Sequence, residues 1–168
     1  MHDLAWLNSL TAEDAANELL QCCGSRRWTE QMSSDRPYST LEALLTHADQ
    51  VWWALTPDDW LEAFRSHPKI GEKKASDRVS AQSQQWSGQE QAGVSNASQQ
   101  TVESLAELNL AYEQKFGFIF IICATGKTSE EMLAALKERL AHDSDTELRL
   151  AAAEQAKIIE LRLKKLLT

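Results

Sequence analysis

One histidine of this chain stands at a point where the backbone must leave a helix. His67 lies in the stretch Ser66-His67-Pro68-Lys69-Ile70-Gly71, directly after an amphipathic segment that begins at Pro57. Proline fixes its own φ and disfavours helical geometry in the residue before it, so we expect the helix to end before His67. Helix ends and loops present reactive groups, and histidine exchanges protons near neutral pH. The position of His67 therefore indicates a general acid or base, although a histidine can also simply end a helix favourably.

A second unusual residue is an arginine on the apolar face of the last helical segment. Arg162 lies four residues after Ile158 and four before Leu166, so the three side chains share one helix face. A guanidinium that faces the interior costs free energy unless an anion meets it. Arg162 could pair with an internal carboxylate, could extend its head to solvent, or could bind a ligand carboxylate with its planar fork.

A third candidate is the polar stretch Ser87-Gly88-Gln89-Glu90-Gln91-Ala92-Gly93, which follows Trp86. Polar side chains between two glycines suggest a loop that approaches a ligand closely, where the Glu90 carboxylate could position a histidine or a reacting hydroxyl. An exposed polar loop is the alternative. Residues 72–100 as a whole are either a flexible surface loop or a functional loop with short helical turns.

Composition argues against several classes of function. The net charge of −8 and the pI of about 5.0 do not suit nucleic acid binding, which needs a basic face. The four histidines show none of the spacings of a metal site. No apolar run approaches the length of a membrane span, and three cysteines without a C-x-x-C motif suggest a reducing compartment. We therefore expect a cytoplasmic protein without a metal, a membrane partner or a nucleic acid partner.

Helix signals dominate the elements that must position these residues. Thr11, Thr40, Thr56 and Thr128 each precede an apolar pattern as N-caps, and Gly117 stops the helix before it. We find no internal repeat and no linker. A chain of 168 residues with these signals predicts a single all-α domain over residues 1–168, a helical bundle of about eight to nine helices.

One apolar run does not fit this helical pattern. Phe118–Ala124 is rich in β-forming residues but has no second strand to pair with. It is either a buried extended segment or the start of another helix.

Four ordered motifs resemble those of one enzyme family. They are Phe64-x-Ser66-His67-Pro68-x-Ile70-Gly71, Ser87-x-x-Glu90-Gln91, Leu108-Asn109-x-x-Tyr112-x-x-Lys115-Phe116-Gly117-Phe118 and Ile158-x-x-x-Arg162-Leu163. In this order they are similar to the 2-oxo-4-hydroxy-4-carboxy-5-ureidoimidazoline (OHCU) decarboxylase family, which completes the route from urate to (S)-allantoin. The resemblance covers nearly the whole chain. It departs at Ile119, where many relatives carry proline.

The resemblance implies a role for each candidate residue. His67 would be the catalytic histidine, Glu90 its partner, and Arg162 would bind the substrate carboxylate or its ureido group. Pro68 would shape the pocket, and Ser87 and Gln91 would contact the ring. The main chain of an irregular segment would hydrogen-bond the hydantoin-like edge of the ligand through Phe120, Ile121, Ile122, Cys123 and Ala124. The family is all-α, needs no cofactor and is typically a homodimer.

The chemistry of such a substrate explains the absence of a cofactor. The carbon that loses CO2 carries a hydroxyl and adjoins a C=N bond, which can accept the electrons left behind. His67 is suited to take the hydroxyl proton and to return a proton to the neighbouring carbon.

Two other functions remain open at this point. In a helical interaction module, His67 and Arg162 would be structural, and allantoin would not bind. An amidohydrolase-like enzyme acting on a related ureide lacks support, because the sequence shows neither a metal-ligand cluster nor a nucleophile.

Overall fold

The computed structural model describes residues 2–70, 81–94 and 97–168, and within these ranges the chain forms α-helices and no β-strand. The helices are α1 (Leu4–Ser9), α2 (Ala12–Leu20), α3 (Arg26–Ser34), α4 (Leu41–Ala54), α5 (Pro57–Arg65), α6 (Ala81–Glu90), α7 (Gln99–Phe116), α8 (Ser129–Arg139) and α9 (Ser144–Leu166). A 3-10 turn, Ala92–Val94, stands between α6 and α7. The predicted all-α fold is confirmed, whereas Gly71 lies outside the described residues.

Local capping signals explain where these helices begin and end. The hydroxyls of Thr11, Thr40 and Thr128 each accept a hydrogen bond from the main chain three residues on, at 3.1, 3.0 and 3.1 Å. Thr128 also belongs to a complete capping box. Gly117 ends α7 with φ at +80°, a conformation that glycine adopts without a steric cost. These boundaries follow from the sequence as predicted.

The chain folds into two compact units. The first comprises Met1–Ala63 and Ala156–Thr168, and the second comprises Phe64–Gln155. The prediction of one domain over residues 1–168 stays a prediction.

The first unit has a core of large side chains that are fully buried, namely Leu7, Leu19, Trp28, Met32, Leu44 and Trp52. The indole N–H of Trp28 donates to the carbonyl of Ala48 at 3.1 Å, so this large ring is buried with its polar atom satisfied. The guanidinium of Arg36 donates to the carbonyls of Leu7 and Leu10 at 2.6 and 2.8 Å. These bonds fasten the end of α1.

The second unit is built around α7 and α8. Its core cluster takes Leu105 and Tyr112 from α7 and Met132 and Leu136 from α8. Residues 118–124 lie outside any helix, and alternate side chains of this segment, those of Phe120, Ile122 and Ala124, complete the cluster. Residues 120–124 are all buried, but only every second side chain joins this cluster, which is the alternation of a strand. The described residues offer it no partner strand. The open question about this apolar run is therefore answered in favour of a buried extended segment.

The structure corrects the expectation for the glycine-flanked polar stretch. Ser87 to Glu90 form the last turn of α6 rather than a loop. Their inward face is polar, and the buried residues of this helix are Ser83, Trp86, Ser87 and Glu90. Their spacing follows helical periodicity, but hydrophobicity could not reveal it because only one of the four side chains is apolar. The remainder of the 72–100 segment is described only in part.

Candidate active site

His67 lies two residues beyond the end of α5, as its position before Pro68 predicts. Its side chain is half-buried, and its main-chain N–H donates to the carbonyl of Phe64 at 3.2 Å. The imidazole Nε2 lies 2.6 Å from Oε1 of Gln155, a side chain of α9 that is fully buried. Because an amide oxygen only accepts, this contact places the ring hydrogen on Nε2.

The extended segment is held by side chains that bind some of its main-chain groups. The carbonyl of Ile121 accepts from Nη1 of Arg139 at 2.6 Å. The N–H of Cys123 donates to the Glu154 carboxylate at 3.3 Å, and the carbonyl of Cys123 accepts from Nζ of Lys127 at 2.8 Å. Charged side chains of the second unit therefore fix the course of this segment.

Other main-chain groups of the same segment are open. The N–H and C=O groups of Phe120 and Ile122 and the N–H of Ile121 make no hydrogen bond within the described ranges 2–70, 81–94 and 97–168. The three residues are only 2, 6 and 3% exposed, respectively. Buried main-chain groups are nearly always paired, so these donors and acceptors are candidates for contact with a ligand.

The inward face of α6 brings a carboxylate to this region. Glu90 is 8% exposed, so its charge is largely withdrawn from solvent. Burial is the main cause that raises the pKa of the Cys123 thiol, and the negative charges of Glu154 and Glu90 raise it further. Glu90 therefore acts electrostatically on the extended segment. Ser87, on the same helix, is buried, whereas Gln91, directly after the helix, and Pro68, after α5, are half-buried.

Arg162 lies in the first unit and is buried, with 4% of its surface exposed. Its Nη1 donates to the carbonyl of Gln21 at 3.2 Å. Burial raises the pKa of the neighbouring Cys23 thiol to about 12, and the Arg162 charge opposes that rise. His67 and Glu90 lie in the second unit, and the convergence of all three residues on one pocket stays a prediction.

Gln155 and Glu154 are residues that the sequence reasoning did not single out. The available signal was the one that identified Arg162, a polar residue within an apolar stripe. Gln155 lies between Ala151, Ala152, Ile158 and Ile159 on the buried face of α9. Arg139 gave no comparable signal, since its position near the end of α8 is typical of a helix-terminal cation.

Two features of the described residues bear on cofactors and partners. Within the described part of the chain, no group of three His, Cys, Asp or Glu side chains is placed to hold a metal ion. No helix in that part has the length and apolarity that a membrane crossing requires. The expectations about cofactors, nucleic acid and membranes stay expectations.

Comparison with known proteins gives consistent matches. The family model described as OHCU decarboxylase matches residues 8–164. The uric acid degradation bifunctional protein TTL of Arabidopsis thaliana is 41% identical over 158 residues, 94% of this chain and 48% of that protein. The Xenopus laevis 2-oxo-4-hydroxy-4-carboxy-5-ureidoimidazoline decarboxylase is 28% identical over 164 residues, 96% of this chain and 92% of that protein.

A solved structure agrees with this fold. The crystal structure of OHCU decarboxylase in the presence of (S)-allantoin is 40% identical, with a TM-score of 0.78 over 90% of this chain and 97% of that chain. The fold is thus that of the all-α OHCU decarboxylases. This chain belongs to the OHCU decarboxylase family. It spans about half the length of the Arabidopsis relative, 48%.

Proposed function

We propose that this chain decarboxylates 2-oxo-4-hydroxy-4-carboxy-5-ureidoimidazoline to (S)-allantoin and CO2, the last step of urate breakdown to allantoin. The observation that carries the proposal is the buried segment in which main-chain groups of Phe120, Ile121 and Ile122 make no hydrogen bond to the described residues. A hydantoin-like ring edge offers the alternating N–H and C=O groups that such a backbone can pair. The 40% identical structure solved in the presence of (S)-allantoin supports the same ligand class.

The reaction needs no external electron acceptor. When the bond to the carboxylate breaks, its electron pair forms a C=C bond to the adjacent imine carbon, and the imine nitrogen takes up the displaced pair and a proton. The resulting enol then loses its hydroxyl proton, and the neighbouring carbon gains one. CO2 leaves, and no net oxidation of protein or cofactor occurs.

In this scheme His67 transfers the protons. It takes the hydroxyl proton and delivers one to the neighbouring carbon, with Glu90 orienting the imidazole or polarising the hydroxyl. Arg162 binds the carboxylate or the ureido group with its planar fork. Ser87 and Gln91 contact the ring. Delivery of the proton from one fixed face yields a single enantiomer.

The main-chain and pocket contacts complete the proposed site. Pro68 shapes the pocket beside the imidazole. The extended segment meets the hydantoin-like edge of the ligand through the main chain of Phe120, Ile121, Ile122, Cys123 and Ala124. At Cys123 the N–H and carbonyl already bind Glu154 and Lys127, so this residue contributes less to the ligand than the groups before it.

Replacement of the histidine tests the proposal. We expect His67→Asn and His67→Ala to lower the rate of CO2 release about 10²- to 10⁴-fold, the usual contribution of a general acid or base. The allantoin that still forms should approach a racemate, because no group then selects the protonated face. His47→Asn is the matched control, since His47 pairs with Asp35 at 2.6 Å near the surface of the first unit. Near-normal turnover with unchanged chirality in His67→Ala would overturn the proposal.

An interaction module is the second candidate, and one contact favours it. Arg162 already donates to the Gln21 carbonyl, which is what a purely structural arginine would do. If that is its whole role, Arg162→Ala lowers the free energy of unfolding, and calorimetry detects no allantoin binding to the unaltered chain. If Arg162 binds substrate, the same variant weakens allantoin binding.

The oligomeric state, the location and the domain organisation belong to the same proposal. We infer a cytoplasmic homodimer of single-domain chains. The resemblance to the OHCU decarboxylases implies the homodimer, and three cysteines without a C-x-x-C motif suggest a reducing compartment. Sedimentation equilibrium measures the dimer, and cell fractionation measures the location. A single unfolding transition that is identical by fluorescence and circular dichroism is expected of one cooperative domain.

A further inference from the structure

A buried glutamine on α9 makes a short hydrogen bond with the imidazole of His67. Oε1 of Gln155 lies 2.6 Å from Nε2 of His67, slightly shorter than the usual range for N–H···O hydrogen bonds. The side chain of Gln155 is 0% exposed. Water therefore does not compete for this contact, and the amide holds the ring in one orientation.

The other end of the same amide is not used. Nε2 of Gln155 is buried and has no hydrogen-bond partner in the parts of the chain that the structure describes. A glutamine that served only to join core elements would use both ends of its amide, because a buried donor without a partner costs free energy. Among the described residues, the side chain of Gln155 instead makes its one hydrogen bond to His67.

We propose that Gln155 is a positioning residue that fixes the tautomer of His67, so that Nδ1 is the atom that exchanges protons with the substrate. The proposal rests on the proposed function for the role of His67. With the hydrogen held on Nε2, the lone pair of the neutral ring lies on Nδ1. When Nδ1 takes the substrate proton, the ring becomes cationic, and Oε1 then accepts a charge-assisted hydrogen bond.

The same turn of α9 also reaches the extended segment. Glu154, the residue before Gln155, accepts the N–H of Cys123 at 3.3 Å. One helical turn therefore positions both the imidazole of His67 and the main-chain segment proposed to bind the ring of the ligand. This coupling explains why a polar pair interrupts a stripe that otherwise buries Ala151, Ala152, Ile158 and Ile159.

Two substitutions separate positioning from structure. Gln155→Met keeps the volume but removes the acceptor, so the imidazolium loses a partner and the acid limb of kcat/KM should move to lower pH. Gln155→Glu keeps an acceptor and adds a negative charge, so the same limb should move upward by about 1–3 pH units. We expect kcat to fall about 10- to 100-fold in Gln155→Met with a smaller change in KM.

The charged groups on neighbouring elements are constant in this comparison. Among the described residues they include Glu154 on α9, Glu90 on α6 and Lys69, which pairs with Glu113 at 2.8 Å. Tyr38→Phe is the control, because it deletes a buried hydrogen bond to the Met32 carbonyl in the first unit. It should lower the unfolding temperature and leave the pH profile in place.

Nitrogen-15 NMR of the histidine rings provides a readout that does not depend on turnover. Neutral His67 should show the Nε2–H tautomer, and Gln155→Met should show a mixture. An Nδ1–H tautomer in the unaltered protein, or an acid limb that stays in place in both Gln155 variants, would overturn this inference alone. Unchanged turnover in His67→Ala would instead overturn the proposed function, whatever the tautomer.

Discussion

Arg139 and Glu147 form an ion pair that is closed off from solvent within the second unit. Their side chains are 9 and 0% exposed. The same guanidinium donates to the Ile121 carbonyl at 2.6 Å and lies 4.6 Å from the ring centroid of Phe120. The pair thus links the start of α9 to the extended segment through one side chain of α8.

Removal of the arginine should be strongly destabilising. In Arg139→Leu the buried Glu147 carboxylate loses its guanidinium partner and keeps only the contacts with Tyr112 and His142 among the described residues. Loss of one partner of a buried pair costs about 3–5 kcal/mol. Urea denaturation followed by tryptophan fluorescence measures this loss. Arg149→Leu is the control, since Arg149 is exposed on the neighbouring α9 and should change the stability by about 0.5 kcal/mol or less.

The double variant Arg139→Leu, Glu147→Leu tests whether the unpaired buried charge causes this loss of stability. With both ions removed, no carboxylate is left unpaired, so the double variant should be more stable than Arg139→Leu alone. Allantoin affinity should nevertheless be reduced in both Arg139→Leu and the double variant, because the Ile121 carbonyl has lost its hydrogen-bond donor in each. If the double variant is less stable than either single one, desolvation is not the dominant cost at this site.

A tyrosine completes the same buried network. The hydroxyl of Tyr112 donates to Glu147 at 2.5 Å, whereas the hydroxyl of Tyr38 donates to the neutral Met32 carbonyl at 2.8 Å. Hydrogen bonds to charged groups contribute about 1.5–3 kcal/mol and neutral ones about 0.5–1.5 kcal/mol. We therefore expect Tyr112→Phe to lower the free energy of unfolding more than Tyr38→Phe. Equal losses in the two matched variants would contradict a special role for the buried carboxylate.

The sequence predicted this fold well wherever the signal was local. Thr128 with its capping box and Gly117 at positive φ act within one helical turn, so their residue types alone specify the helix boundaries. The polar inward face of α6 was missed because it buries Ser83, Ser87 and Glu90. Burial of such polar groups depends on partners distant in the sequence, and these partners cannot be predicted from hydrophobic periodicity.

In the candidate site, too, residues with a local sequence signal could be predicted and residues with distant partners could not. His67 was recognisable because Pro68 constrains its backbone locally. Gln155 was not recognisable, since its hydrogen bond to His67 joins residues 88 positions apart and a lone polar residue in an apolar stripe has many possible partners. Arg162 gave the same kind of signal, and only the resemblance attached a role to it.

The three cysteines should be unreactive in the folded protein. Cys22, Cys23 and Cys123 are 0, 1 and 7% exposed. Burial raises the pKa of Cys23 to about 12 and also raises the pKa of Cys123. Because the thiolate is the nucleophile, Ellman's reagent at pH 8 should detect no thiol in the native protein and all three after denaturation. One thiol that reacts rapidly without denaturant would contradict this prediction.

The same thiol predicts how stability depends on pH. In the unfolded chain Cys23 ionises near pH ~8.5, whereas in the folded protein its pKa is about 12. Between these values the unfolded state binds fewer protons, so the free energy of unfolding falls as the pH rises. Denaturation at pH 8 and pH 10 measures this loss, and Cys23→Ala should reduce the difference between the two conditions.

Two glycines near the proposed site should respond oppositely to the same substitution. A Cβ at Gly93 would lie 2.2 Å from the main-chain oxygen of Lys127, whereas a Cβ at Gly88 would meet no atom within 4 Å. Gly88 lies within α6, so Gly88→Ala should stabilise the protein by about 0.5–1 kcal/mol through helix propensity. Gly93→Ala must displace backbone and should destabilise it by more than about 1 kcal/mol.

The two glycine variants also test why position 93 is a glycine. If Gly93→Ala is destabilised while allantoin affinity is unchanged, the glycine serves the close approach to Lys127 rather than the ligand. If affinity falls with it, the 3-10 turn Ala92–Val94 transmits the displacement through Lys127, whose ammonium holds the Cys123 carbonyl at 2.8 Å. Equal stability in Gly88→Ala and Gly93→Ala would contradict the close approach itself.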